Sequence, residues 1–399
     1  MNTVAAAAPP LFEFTDEHRD LRQMLRRRFD HAAASEGRDS GAHASEADGA
    51  HTVSPTWTDL AHHAGIGDLL FGGADEPRGT PIDIAILAEE SGAALYGGPV
   101  FSAAVTAALC EIAGNRERPT GPGEGESAAR FADLVRGLRE GRVAPAIGSC
   151  ALGHGAGAND SVSVRAGQRL SGRVEPVWDA RHATVLVCVA VDASGDPAVA
   201  VLPTRTAGFT MTALAGLDLS RAVGRADCVA VAAESLLTGD TARRALAAMR
   251  ARGALVAAAE SLGLAQRTLD RTVEYARGRV QFGRTIGSFQ AVKHRLADLV
   301  SQVELTRSAV YGAAWGLTTA PEDTDTAIDL AVAAALAADT AVTVTTAAVQ
   351  LHGGIAITWE HHAHRALRRA RAVAALTGGA VRHRRDLAAL LDQREARHG

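Results

Sequence analysis

The chain has 399 residues, 47% of them hydrophobic but only 4% aromatic, and a formal net charge of −4. That length accommodates two or three domains, and an aliphatic, alanine-rich composition favours closely packed helices. The charge excludes a basic nucleic-acid footprint over the whole surface. The four cysteines, Cys110, Cys150, Cys188 and Cys228, lie far apart without a CxxC pair, which argues against a zinc site or a disulfide framework and fits reduced thiols in the cytosol.

The N-terminal "MNTVAAAAPPLFEF" lacks a cationic region, and its apolar run is broken by Pro9 and Pro10, so it does not read as a signal peptide. No uninterrupted apolar stretch reaches the roughly 20 residues of a membrane span. The expectation is therefore a cytoplasmic protein without membrane or nucleic-acid partners. From Phe12 to about Phe29 the pattern is an amphipathic helix, with Thr15 as N-cap and Asp16 and Glu17 in the first turn. The polar "AAASEGRDSGAHASEADGAH" reads as a surface loop. Helical patterning resumes at "SPTWTDLAHHAG" and "TPIDIAILAEESGAAL", and "RPTGPGEGES" is a second loop.

Beyond Val143 short valine-rich runs ("APAIGSCAL", "SVSVRAG", "HATVLVCVAV", "PAVAVLP", "DCVAVAAESLL") predict the strands of a compact β domain ending near Leu237. From Thr241 the chain is helical again, with Leu255, Ala258, Leu262, Ala265, Leu269 and Val273 on one face. The run "AIDLAVAAALAADTAVTVTTAAVQ" is apolar nearly all round and predicts a helix buried on several sides. The expected organisation is an N-terminal helical domain over 1–143, a middle β-barrel over 144–238 and a C-terminal four-helix bundle over 239–399.

Two islands carry candidate chemistry. In "RVQFGRTIGSFQAVKHRLADL", Arg279 and Arg284 offer guanidinium donors on either side of Phe282 and Gly283, and Gln290 adds an amide. In "VQLHGGIAITWEHHAHRALRRA", Gly353 and Gly354 let backbone N–H groups approach a ligand closely, and Gln350 precedes them. By residue chemistry alone, a pyrophosphate-bearing cofactor and a pair of solvated helix ends fit about equally well.

Both islands resemble the flavin-binding signatures of the acyl-CoA dehydrogenase family. The first is close to that family's R-x-x-F-G-x-x-I-x-x-F-Q segment. The second resembles its Q-x-x-G-G-x-G segment, with Ala356 in place of the last glycine. The order helical domain, β-barrel, four-helix domain is also the family's. The resemblance implies that Arg279, Phe282 and Gln290 contact FAD, and that Gln350, Gly353 and Gly354 contact it from a neighbouring subunit, in a homo- or hetero-oligomer that is usually tetrameric. It implies α,β-dehydrogenation of an acyl-CoA or an acyl-carrier-protein thioester, with electron-transfer flavoprotein or a similar acceptor. Lipid or steroid side-chain catabolism and secondary metabolism are the settings it points to.

The chain departs from the family where the base should be. Counting from Gly353 puts the usual glutamate at Thr377; alignment through "SLGLAQ" puts the alternative position at Gly253. Glu260 remains as candidate base, against the reading of a helix carboxylate paired with an arginine; Glu360 suits a local role. The middle segment "SCALGHGAGAND" keeps only glycines and Asp160 of the expected flavin-contacting motif, leaving Ser149 and Trp178 as substitutes. No metal site is expected: His361 and His362, about 100° apart on one helix, should diverge. Most arginines of "RALRRARAV" and "VRHRR" read as a solvated face or subunit contacts. Two further readings stand beside the enzyme: a partner subunit without its own base, and a homologue recruited to other flavin chemistry.

Overall fold

The computed structural model describes residues 13–39, 53–71, 79–114, 124–152 and 161–398. Helix α1 (Asp16–Asp39) starts as its sequence dictates: the Thr15 hydroxyl accepts from the His18 N–H at 3.3 Å. Two short helices, α2 (Pro55–Thr58) and α3 (Ile66–Leu69), flank a π turn over Asp59–His63. Helix α4 (Pro81–Ala93) opens on a capping box between Thr80 and Asp83, and α5 (Val100–Gly114) and α6 (Glu124–Arg139) follow.

The strands are β1 (Pro145–Gly148), β2 (Ser161–Arg165), β3 (Arg169–Trp178), β4 (Val185–Val191), β5 (Pro197–Pro203), β6 (Phe209–Leu214), β7 (Val223–Ala232) and β8 (Ser235–Leu237). They form one mixed sheet of order β6-β7-β3-β1-β4-β5-β8, with β2 beside β3 and β4. Because β2 pairs with both β3 and β4, which also flank β1, these four strands close a circuit, from which β7 and β6 extend on one side and β5 and β8 on the other.

Helix α7 (Gly239–Gly278) is the spine of the molecule, followed by a small hairpin, β9 (Val280–Gln281) and β10 (Arg284–Thr285), then α8 (Gln290–Thr319), α9 (Thr324–His352), α10 (His362–Leu376) and α11 (Gly379–His398). Helices of both ends of the chain share one core: Leu25, Phe29, Ile84, Ile86 and Phe101 pack in the same cluster as Leu255, Leu262, Val310 and Val344. The sheet interior forms a separate cluster around Leu170, Leu186 and Leu202. The segment Thr324–Ile357 is apolar and long enough to cross a membrane, but 56% of its most apolar window is buried in the protein. It is buried on several sides, as its sequence predicts, with Asp329, Asp339 and Thr346 exposed.

Helices α4 and α7 pack closely, and glycines make it possible. A Cβ on Gly263 would lie 1.8 Å from the Glu89 carbonyl oxygen, and one on Gly92 would lie 2.2 Å from that of Glu260. Each helix lays a glycine against the other's backbone, holding Glu89 and Glu260 in the interior.

Candidate functional site

The first island leaves α7 at Arg279, whose N–H donates to the Tyr275 carbonyl at 2.8 Å as the backbone turns extended. The β9–β10 hairpin turns on Phe282 and Gly283, with φ of 53° and 75°. Two consecutive left-handed residues suit a tight hairpin, but phenylalanine is an unusual occupant. The turn holds the Phe282 ring 92% exposed. Arg279 and Gln290, the first residue of α8, are exposed as well.

The second island ends α9. Gly353 adopts φ 67°, ψ −145°, which only glycine takes readily, and a Cβ on Gly283, Gly353 or Gly354 would meet nothing within 4 Å. Gln350 is exposed beside them. The islands adjoin through Tyr275, whose ring stacks on His352 at 4.3 Å between centroids and whose hydroxyl donates to the His352 carbonyl at 3.4 Å. Open glycine backbone, the exposed Arg279 and an exposed aromatic ring are donors and surfaces that fit the phosphates and adenine of a dinucleotide. Val280, Ile355, Ile357 and Trp359 are exposed around them, at 49–74%.

Glu260 occupies a different place. It is 1% exposed, and Arg221 grips both its oxygens (Nη1 to Oε1 3.2 Å, Nη2 to Oε2 3.0 Å) while Arg369 Nε donates to Oε1 at 2.8 Å. Arg369 also reaches Asp218 at 2.7 Å, Ser220 at 3.0 Å and the Tyr96 carbonyl at 2.5 Å; Arg221 Nε lies 3.0 Å from Asp179. Burial alone would raise the Glu260 pKa, but the two guanidiniums hold it below the usual carboxylate range. Asp218 is likewise lowered against its burial by Arg369, whereas burial outweighs Arg221 at Asp179 and raises it. This is the arginine-paired reading of Glu260, with every oxygen engaged.

The two positions that the resemblance marks for a base lie on one cavity. Gly253 and Thr377 line one cavity of about 320 Å³ with Phe101, Leu152, Arg250, Ala254, Arg382, His383 and Asp386. Leu152 fills the space at Gly253, where a Cβ would lie 2.9 Å from Leu152 Cδ2. The Thr377 hydroxyl donates to the Val373 carbonyl at 2.9 Å. Trp178 is buried, its ring stacked on Phe101 at 4.3 Å, and Nε1 finds no acceptor among the described residues. The Ser149 side chain and residues 153–160 lie outside the described residues. A second cavity, about 340 Å³ between α7 and α8, is lined by Asp270, Glu274, Arg277 and Glu304 and contains none of these positions.

The histidines correct one expectation. His361 is the N-cap of α10, extended at φ −86°, ψ 138°, and not a helical residue, so its ring does not diverge from that of His362; the two stack at 4.4 Å. With His352 they place ligand atoms within 4.8 Å of one another. His361 Nδ1 is taken up in accepting the Ala363 N–H at 3.2 Å, and the positive charge of Arg271 opposes a cation. Burial, then Arg271, His361 and His352, push the His362 pKa down to about 4. Its folded value thus lies below the ordinary histidine value, so the unfolded chain binds more protons and stability falls as pH drops from about 6.5 towards 4. Melting His362→Asn beside the parent protein across that range is expected to show a shallower loss in the variant; parallel curves would refute the assignment.

Nothing local in the sequence marks Arg221, Asp179 or Asp218; Arg369, 1% exposed, lies in the run RALRRARAV that reads mostly as a solvated face or subunit contacts, and Asp386 directly follows the similar run VRHRR.

Residues 239–391 match the family model described as acyl-CoA dehydrogenase, C-terminal domain. A curated relative, acyl-CoA dehydrogenase IpdE2 of Mycolicibacterium smegmatis, is 46% identical over 125 residues, 31% of this chain and 38% of the relative. The match thus spans well under half the length of that relative. Solved structures similar over nearly the whole chain include a Tcur3481-Tcur3483 steroid ACAD variant, with 25% identity, TM-score 0.76, and 96% and 99% coverage of the two chains. The ChsE4-ChsE5 complex from Mycobacterium tuberculosis is also similar, with 25% identity, TM-score 0.76, and 95% and 98% coverage.

Proposed function

We propose that this chain, a member of the acyl-CoA dehydrogenase family by its C-terminal domain and its fold, is a flavin oxidoreductase of the cytoplasm that removes the α- and β-hydrogens of an acyl thioester, on CoA or an acyl-carrier protein. The observation that carries the reading is the convergence of Gly253 and Thr377 on one cavity beside Phe101 and Leu152, a partly apolar chamber sized for an acyl group. Arg279, Phe282 and Gln290, with Gln350, Gly353 and Gly354 of a neighbouring subunit, would hold FAD, which supplies the hydride acceptor when bound. The exposed Phe282, Ile357 and Trp359 support burial against a second chain. Glu260 ties α7 to α10 and to the loop at Arg221 through its two arginine partners. Electron-transfer flavoprotein or a similar protein would reoxidise the cofactor.

One observation favours a second reading. Neither family base position holds a carboxylate, and similar structures include a ChsE4-ChsE5 complex. On that reading the chain is the non-catalytic partner in a heteromeric dehydrogenase. The visible spectrum of the protein expressed alone separates the two. About one FAD per chain, lost on Arg279→Ala, supports a self-sufficient flavoprotein. A colourless product that gains flavin only on co-expression with a homologue supports the partner role.

A further inference from the structure

We propose that Asp386 is the carboxylate that takes the α-proton, an inference that rests on the acyl-thioester reading of the cavity. Proton removal next to a thioester carbonyl needs a basic group on the wall of the acyl chamber, and of the two such groups there His383 is already engaged in another interaction. Among the described residues lining that chamber, Asp386 is the carboxylate. Glu260 cannot be freed for the task without removing the counter-charge that two buried guanidiniums share.

The placement follows from the chain. Thr377 closes α10, and α11 begins two residues later, so the helix that follows the vacant base position lines the same chamber. Asp386 lies about two turns into α11, one turn beyond Arg382. Arg382 Nε donates to its Oδ2 at 3.3 Å, leaving Oδ1 for a substrate, and the side chain is 50% exposed. His383 and Arg250 complete the polar wall, and Phe101, Leu152 and Ala254 the apolar one. The base has moved from the turn before α11 onto α11 itself, while Leu152 packs over Gly253.

The step balances without an oxidant. The α C–H bond breaks, the proton passes to Asp386 Oδ1, and the electron pair delocalises onto the thioester oxygen as an enolate. Reversal in D2O returns the thioester carrying an α-deuteron. The test is therefore α-hydrogen exchange, read by mass spectrometry, of a 3-thia-acyl-CoA whose α-protons are acidified by the flanking sulfur, on the protein as purified with its flavin. Asp386→Asn is expected to bind this thioester within a few-fold of the parent affinity and to slow exchange at least ~10²-fold. Asp386→Glu is expected to keep part of the rate, and unchanged melting of both variants excludes a folding defect. Exchange at the parent rate in Asp386→Asn overturns the proposal, and so does a parent protein that binds the thioester but never exchanges it, the result of a chain without a base. No thioester binding at all overturns the acyl-thioester reading itself and this inference with it.

Discussion

Glu260→Ala is expected to cost about 3–5 kcal/mol of folding stability, because it strands Arg221 and Arg369 in the interior without their shared counter-charge. Chemical denaturation of parent and variant measures this directly. Glu260→Gln keeps the volume but loses the charge, and is expected to fall on the same side. The reverse pattern, near-parent stability with α-hydrogen exchange abolished, would return Glu260 to the role of base. The same network sets an acid limit. Glu260 and Asp218 have lowered folded values, so their contribution is full above the ordinary carboxylate range and is lost as pH falls through those lowered values. Asp179, raised by burial, works with opposite sign: its contribution is full below the ordinary range and is lost as pH rises through its raised value.

Gly263→Ala carries the other large effect. The added methyl would sit 1.8 Å from the Glu89 carbonyl oxygen, against backbone and not the end of a flexible side chain. Helices α4 and α7 must separate, and the separation strains Glu89, which Arg307 at 2.8 Å and Tyr311 at 2.5 Å hold in place. The expected loss is about 3 kcal/mol, the upper end of ordinary overpacking. Gly312→Ala is the control: this glycine is exposed within α8, nothing lies within 4 Å of its Cβ position, and alanine there is expected to stabilise by about 0.5–1 kcal/mol. Equal melting temperatures for the two variants would show that the α4–α7 contact is looser than its glycines require.

The elements legible in the sequence were those specified by neighbours along the chain. Thr15, Thr80 with Asp83, and the apolar faces of α7 and α9 each declare a helix within a few residues, since capping and periodicity are local. The two islands were legible for the same reason: a turn at Phe282–Gly283 and a glycine pair after α9 are contiguous features. His361 marks the edge of that legibility, because whether a residue is the cap or the first turn decides where its ring points.

What only the tertiary structure decided is the fate of the charges. Glu260 finds Arg221 across 39 residues and Arg369 across 109, and no spacing rule reaches that far. The sequence could name Gly253 and Thr377 as vacancies, but their meeting in one cavity, with Asp386 on its wall, depends on how α7 and α11 pack. A carboxylate alone in sequence is ambiguous between base and salt bridge. The fold seals Glu260 between two arginines and leaves Asp386, paired with Arg382, half-exposed on the wall of a chamber.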